Sequence, residues 1–495
     1  MTNLSDLFPA GAGKQVSFTA SGNVTSSGKP VILNSDGTVA EVGIQPESLG
    51  SAAVFESALT TATGSAYDAT NKKVVISYRD EGNSNYGTAV VGTVSGTSIS
   101  FGTPVVFEAS SVDYTAATFD SGSGNVVIAY EKVSADGSAI VGTVSGTSIS
   151  FGTAVQFDST VSQPYGIAED TSAGKVVISY VDQGNSNRGT AVVGTVSGTS
   201  ISFGTPVVFD TGDLVDADSG DIVYDSANGK VVMAYRDASI QSHWGGVIVG
   251  TVSGTSISFG SKNFFSDYTV TSYDGSVAMT YDSTNSKVVI VAGDASGAGA
   301  NKGTSQVGTV SGTSISFGTR VKGVTAGFFR EAAATFDSTN GKSVFLYQDS
   351  SNSSYGTYFV GTVSGTDVTF GTATVYETAT TSNNTAVFDS DQSVSVFGYR
   401  DEGNSDYGTA ICQKNTGTNL SATNFLGISD AAISSAASGN ITMKGGIAST
   451  GLSSLTPASD YYVQPDGTFG TSAGDPSVKA GKALSATAIN LEYQS

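Results

Sequence analysis

The chain has 495 residues, a formal net charge of −21, 62 glycines and only 13% charged residues. That acidity argues against nucleic acid and anionic membrane as partners, because lysine and arginine are needed to neutralise phosphates. A single cysteine, Cys412, excludes an internal disulfide framework and a cysteine-rich zinc site, and a single histidine, His243, excludes any multi-histidine metal site.

Residues 1–50 read as a prelude. The segments 14–20 and 29–42 (KPVILNSDGTVAEV) predict strands, with Asp36 and Gly37 in a tight turn. No basic segment followed by an apolar core opens the chain, so the N-terminus does not read as a secretory signal, and no apolar run is long enough to span a bilayer.

Repeats begin near Ala52. The stretch VGTVSGTSISFGT (141–153) has near-copies starting at Val91, Val193, Val249, Val307 and Val360, spaced by 50 to 58 residues. Periods of that size mark stacked or ring-like repeat architectures. Each unit offers four runs of strand character. The first ends in an aromatic-Asp pair, such as Tyr67 and Asp68 or Phe119 and Asp120; Glu169 replaces the aromatic once, giving seven units. The second run is valine-rich and unbroken (VVISY, 74–78), which predicts a strand covered on both faces. The third resembles TAVVGTV and the fourth SISFGTPVVFE. Glycines of the third strand (Gly92, Gly142, Gly194) are expected to let neighbouring sheets approach closely.

The reading is all-β: a seven-bladed β-propeller of four-stranded blades (51–415) inserted in a small β-domain formed by both termini (1–50 and 416–495). A solenoid is the alternative. The seventh unit stops after TAICQK (409–414), while an orphan segment at 52–57 matches the fourth run, so the N-terminal segment is expected to complete the last blade. In the C-terminal part, YYVQPDGTFGT (461–471) echoes the hairpin at 29–42.

Two turns of each unit keep nearly fixed lengths. The other two connections vary, most around the fourth and fifth units, and these share one face; variable loops on a fixed scaffold are where recognition usually sits. The expected ligand-binding residues are Trp244 and His243 with Arg236 and Asp237 in the fourth unit, and Arg188, Tyr86, Tyr355 and Tyr407 at equivalent tips. Planar side chains beside polar ones suit sugar rings. The bland alternative is that these tyrosines buttress hairpins. The aspartates after the second strands (Asp80, Asp182, Asp237, Asp294, Asp349, Asp401) are consistent with Ca²⁺ binding but read first as turn caps. Glu169, the off-pattern acid, is either a central acid or a tolerated defect. No catalytic motif, cofactor or metal is predicted. A propeller glycosidase is the rival from another class, and a pair of buried, pKa-shifted acids in the central funnel would favour it.

The wording of the units (YDATNKKVVISYRDEGNSNYGTAVVGTVSGTSISFGTPVVFE) resembles repeat proteins of marine tailed bacteriophages, and the flanks (GKPVILNSDGTVAEV, NFLGISDAAISSAASGNITMKGGIA, YYVQPDGTFGT) resemble small β-domains of phage capsid-decoration and tail proteins. The resemblance implies a virion structural protein, assembled in the host cytoplasm, self-associating and contacting other virion proteins. Its terminal domain would anchor it, and its propeller would meet a host-surface glycan. A decoration protein or head fibre without a receptor role is the alternative within that class.

Overall fold

A computed structural model describes residues 15–34, 36–213, 220–238, 243–271, 276–295, 302–474 and 476–492. The opening segment read above for an export signal, and Gln241 and Ser242 of the fourth-unit loop, lie outside the described residues. The chain separates into two compact units: residues 48–415, and residues 1–47 together with 416–495.

The larger unit is β-propeller-like. In the first repeat the antiparallel order is the end of Ala53–Asp68, then Lys73–Asp80, Tyr86–Ser95 and Ser98–Phe101. The pattern recurs through the sixth repeat. The second strands are buried on both faces: Val74, Val75 and Ile76 have no exposed surface. The fourth run differs from expectation. It breaks at its Gly-Thr, and the chain past the break pairs again with the third strand, as Val105 does with Ala89. At three junctions it then continues without a loop into the next repeat's first strand, giving the 16-residue strands Ala53–Asp68, Val105–Asp120 and Thr374–Asp389.

The last repeat is closed by the first. Tyr407–Lys414 pairs with Ser48–Leu49 and with the start of Ala53–Asp68, matching Thr409 to Val54 and Ala410 to Ala53. Each first strand also packs against the next, and Thr374–Asp389 packs back onto Ala53–Asp68.

The close approach between repeats is at a different glycine from the one expected. A Cβ on Gly92 or Gly142 would meet isoleucine and phenylalanine of its own fourth strand, not a neighbouring sheet. A Cβ on Gly152 would lie 1.9 Å from the carbonyl oxygen of Thr199, in the SGTS turn of the next repeat. Gly102, Gly204, Gly260 and Gly318 meet the next repeat in the same way, and Gly50 so meets Thr97, whereas Gly371 faces a repeat without that turn and stands clear.

The smaller unit holds two five-stranded antiparallel sheets. One is ordered Gln15–Thr19, Ser438–Met443, Phe425–Ser429, Pro30–Leu33, Val39–Glu41; the other Ile447–Ala448, Ala488–Leu491, Val478–Ser485, Asp460–Val463, Phe469–Gly470. Ile32, Phe425, Tyr461, Val478 and Ile489 share one core. The two echoed segments form the same hairpin turn. The Asp36 carboxylate accepts from the Thr38 amide at 2.9 Å, and Asp466 from the Thr468 amide at 3.0 Å. Gly37 and Gly467 follow at φ 84° and 78°.

Gly152→Ala forces backbone against backbone and is expected to cost about 1–3 kcal/mol or more, read as a lowered urea midpoint. Gly122→Ala, whose added Cβ would meet nothing closer than 3.9 Å, should leave the midpoint nearly unchanged.

Candidate functional site

Two places on the larger unit gather functional groups: the rim of the fourth repeat and the axis of the ring.

At the rim, Trp244 and Phe264 are half-buried and meet edge-on, with centroids 5.8 Å apart and planes at 83°. The Lys262 ammonium lies 5.7 Å from the Phe264 centroid and bonds Asp237 at 2.6 Å and Asp210 at 2.9 Å. The backbone here is held tightly. Asp237 N–H donates to the Trp244 carbonyl and Val270 N–H to that of His243, which adopts φ 47°. Arg236 and Asp237 prove to be internal. Asp237 has no exposed surface, and Arg236, 7% exposed, donates through Nε to the Val270 carbonyl of the fifth repeat. They tie repeats together beneath the surface that Trp244 reaches.

The other tips are not brought to this place. Tyr86, Arg188, Tyr355 and Tyr407 each begin the third strand of a different repeat and are half-buried there. The Asp series behaves as turn chemistry. Asp182 accepts from the Asn185 amide at 3.0 Å, Asp401 from those of Gly403 and Asn404, and Asp68 from those of Thr70 and Asn71. Among the described residues no three metal-ligating side chains converge. Glu169 is not central. It accepts from the amide and hydroxyl of Ser121 at 2.7 and 2.6 Å, the inter-repeat role that the Tyr224 hydroxyl plays toward the Ser172 amide.

At the axis, first-strand residues of every repeat line one cavity of about 500 Å³. The same first-strand position takes positive φ in four repeats, at Ala62, Tyr114, Glu331 and Asn383 (47–51°). Such values are uncommon for non-glycine residues; three of these positions sit at ladder irregularities, as β-bulges. Hydrogen bonds link the bulges around the ring. The Asn383 amide donates to the Glu331 carboxylate and the Ala62 amide to the Asn383 side chain, both at 2.7 Å, and the Thr115 hydroxyl donates to the Ala62 carbonyl.

Among the described residues Arg79 is the one cation lining the cavity, against Glu81, Asp113, Asp221 and Glu331. Its guanidinium lies 3.8 Å from Glu81 and 3.6 Å from Asp113. Burial raises Asp113 above the usual carboxylate range. Asp221 keeps part of its surface open to the cavity but is crowded on all sides, which pushes it up to about 7 although it accepts from the amides of Ile222 and Met279. Glu131 stands opposite Asp113 in the ladder, so both side chains share a face. Burial and then the Asp113 charge push it up to about 7.

The sequence reading missed this axis. Its signal lay inside a strand rather than in a loop: the position after the second-strand tyrosine is Arg79, Glu131, Val181, Arg236, Gly293, Gln348 and Arg400 across the repeats. From that position Arg79 reaches Asp113, Arg236 reaches Val270 and Gln348 reaches the Thr381 carbonyl, each in the next repeat.

No protein-family model and no curated protein matches the chain. Among solved structures, the BP39L lectin from Burkholderia pseudomallei aligns over 75% of this chain and 98% of its own, with a TM-score of 0.55 and 11% identity. A structure of the mitotic checkpoint complex aligns over 74% and 94%, with a TM-score of 0.48 and 6% identity. At such identities the lectin likeness speaks to the fold alone, a β-propeller-like all-β body.

Glu131 carries a pH signature. Its folded-state pKa lies above the ordinary 4.5, so the folded chain binds the proton more tightly than the unfolded one. Stability contributed by the protonated form is present below about pH 4.5 and is lost as pH rises to about 7. Glu131→Gln is expected to remove that loss. In denaturant titrations the variant should gain on wild type by up to a few kcal/mol between pH 5 and pH 8, a gain that a solvent-exposed glutamate would not give.

Proposed function

We propose that the chain is a non-catalytic glycan-binding protein: a seven-bladed β-propeller carried by a small β-domain built from both termini. The observation that carries this reading is the half-buried Trp244–Phe264 pair beside Lys262. Aromatic surface for the C–H face of a sugar and charged groups for its hydroxyls stand together there on a rigid scaffold. The shared fold with a lectin supports it. On this reading the terminal domain attaches the chain to a virion, as the resemblance to marine phage proteins implies, and the propeller meets the host surface.

A second reading, glycoside hydrolysis at the axis, is favoured by one observation: Asp113, Glu131 and Asp221 are all raised by burial around one cavity. Hydrolysis needs a proton donor and an ionised carboxylate flanking the scissile bond. Both Asp221 oxygens are already taken by backbone amides of two repeats, and Glu131 stands behind the lining. Binding is therefore the better reading.

A glycan array probed with the full chain is expected to show saturable binding. Trp244→Ala should weaken it by about 1–3 kcal/mol, the loss expected for an aromatic anchor. Binding untouched by the substitution would move the site away from the fourth repeat. Release of reducing sugar from the array ligands, abolished in Glu131→Gln, would replace the binding reading with hydrolysis.

A further inference from the structure

The rim reading leaves the axial cavity without a role. We propose that the cavity is a binding site for an alkylammonium group carried on a polar small molecule, with an amino sugar as the favoured source. The proposal does not rest on the rim: a chain that bound no glycan at Trp244 could still hold an amine here.

Three observations carry it. The volume, about 500 Å³, is that of a small-molecule site. The charge is unbalanced, because Arg79 is already shared by Glu81 and Asp113, while Asp221 and Glu131 form no ion pair among the described residues. Finally, Glu131 is only 5% exposed and its Oε2 meets no hydrogen-bond donor. A buried acceptor left unpaired costs about 1–3 kcal/mol, and this one, just behind the lining, shares the face of Asp113, which lines the cavity. A donor arriving from the cavity side would satisfy it.

The chemistry of the donor follows from the arrangement. Asp113 and Glu131 come from the second repeat and Asp221 from the fourth, and among the described residues no three metal-ligating side chains converge, which disfavours a single compact metal ion. An ammonium offers three N–H donors and a full charge, and a polyol attached to it can use the threonine and asparagine side chains of the wall. A neutral sugar would leave the acids without a cation.

The test is calorimetric titration of the full chain at pH 7 with three probes: β-1,4-linked diglucosamine, its N,N′-diacetyl counterpart and spermidine. Diglucosamine is expected to bind at least tenfold more tightly than the neutral diacetyl form. The double variant Asp113→Asn, Glu131→Gln should lose at least tenfold, and Trp244→Ala should change nothing. If the double variant fails to fold, Glu81→Gln at the cavity wall serves instead, with a several-fold loss expected. Binding of spermidine in preference to diglucosamine keeps the ammonium site and makes a polyamine its source. Equal binding of the amine and its acetylated form, or no binding of any probe, overturns the proposal. Loss of array binding in Trp244→Ala with diglucosamine affinity intact separates the rim from the axis.

Discussion

The larger unit depends on one repeated seam between repeats. The second-strand tyrosine of one repeat donates its hydroxyl to an acid on the outer strand of the repeat before it. Tyr78 reaches Glu56, Tyr130 reaches Glu108, Tyr180 reaches Asp158 and Tyr399 reaches Glu377, each at 3.0 Å; Tyr235 reaches Asp210 at 2.7 Å. A buried hydroxyl without a partner is costly, so the acid is what lets the ring be buried at all. An aromatic two or fewer positions from the acid packs on each tyrosine, as Phe55 does on Tyr78 at 5.3 Å and Tyr376 on Tyr399 at 5.2 Å. Burial and the neighbouring carboxylate hold these phenols far above their ordinary pKa, so the seams stay neutral on the tyrosine side.

Where a repeat departs from the seam, its neighbours compensate. The fifth repeat has Ala292 in place of the tyrosine, and Phe265 and Tyr268 enter the same core cluster. The sixth keeps Tyr347 but turns it toward its own Asp349 at 3.5 Å, with Phe329 beside it. Connection lengths vary most around the fourth and fifth repeats, so the fifth carries both departures. Loop variation and seam variation therefore have a common place, and the rim aromatics Trp244 and Phe264 stand at its edge.

Much of the fold was legible because a repeated unit writes each local rule several times. The all-β class, the doubly covered second strand and the strand that closes the last repeat all followed from matching repeats to one another. The Asp turns were legible for the same reason. What escaped was the geometry between repeats. The third-strand glycines looked like contact points, yet it is the following FGT glycine that meets the next backbone, which only the docking of two units determines. Glu169 looked like a defect or a catalytic acid; it caps the Ser121 turn in the way a tyrosine hydroxyl does elsewhere. Of the eight expected binding residues, Arg236 and Asp237 prove internal for a physical reason: a charged pair beside a loop reads as exposed until Lys262, just before the strand Asn263–Phe264, is seen to pair with Asp237, and Arg236 to donate to the Val270 carbonyl.

The axis follows from the seams. Because each seam fixes one repeat against the next through the second and outer strands, the first strands are carried to the centre rather than packed there on their own account. Their convergence leaves a space that no repeated side chain can fill, since a residue large enough to fill it from one repeat would collide with its copies from the others. The positions facing that space are thus released from the repeat, and they are the ones that vary: Ala62, Tyr114, Pro164, Glu331 and Asn383. A ring that can tolerate an unpaired buried acid at its centre has stability held elsewhere, in the tyrosine seams and the glycine contacts. That separation lets the axis acquire binding chemistry without cost to the closure of the ring.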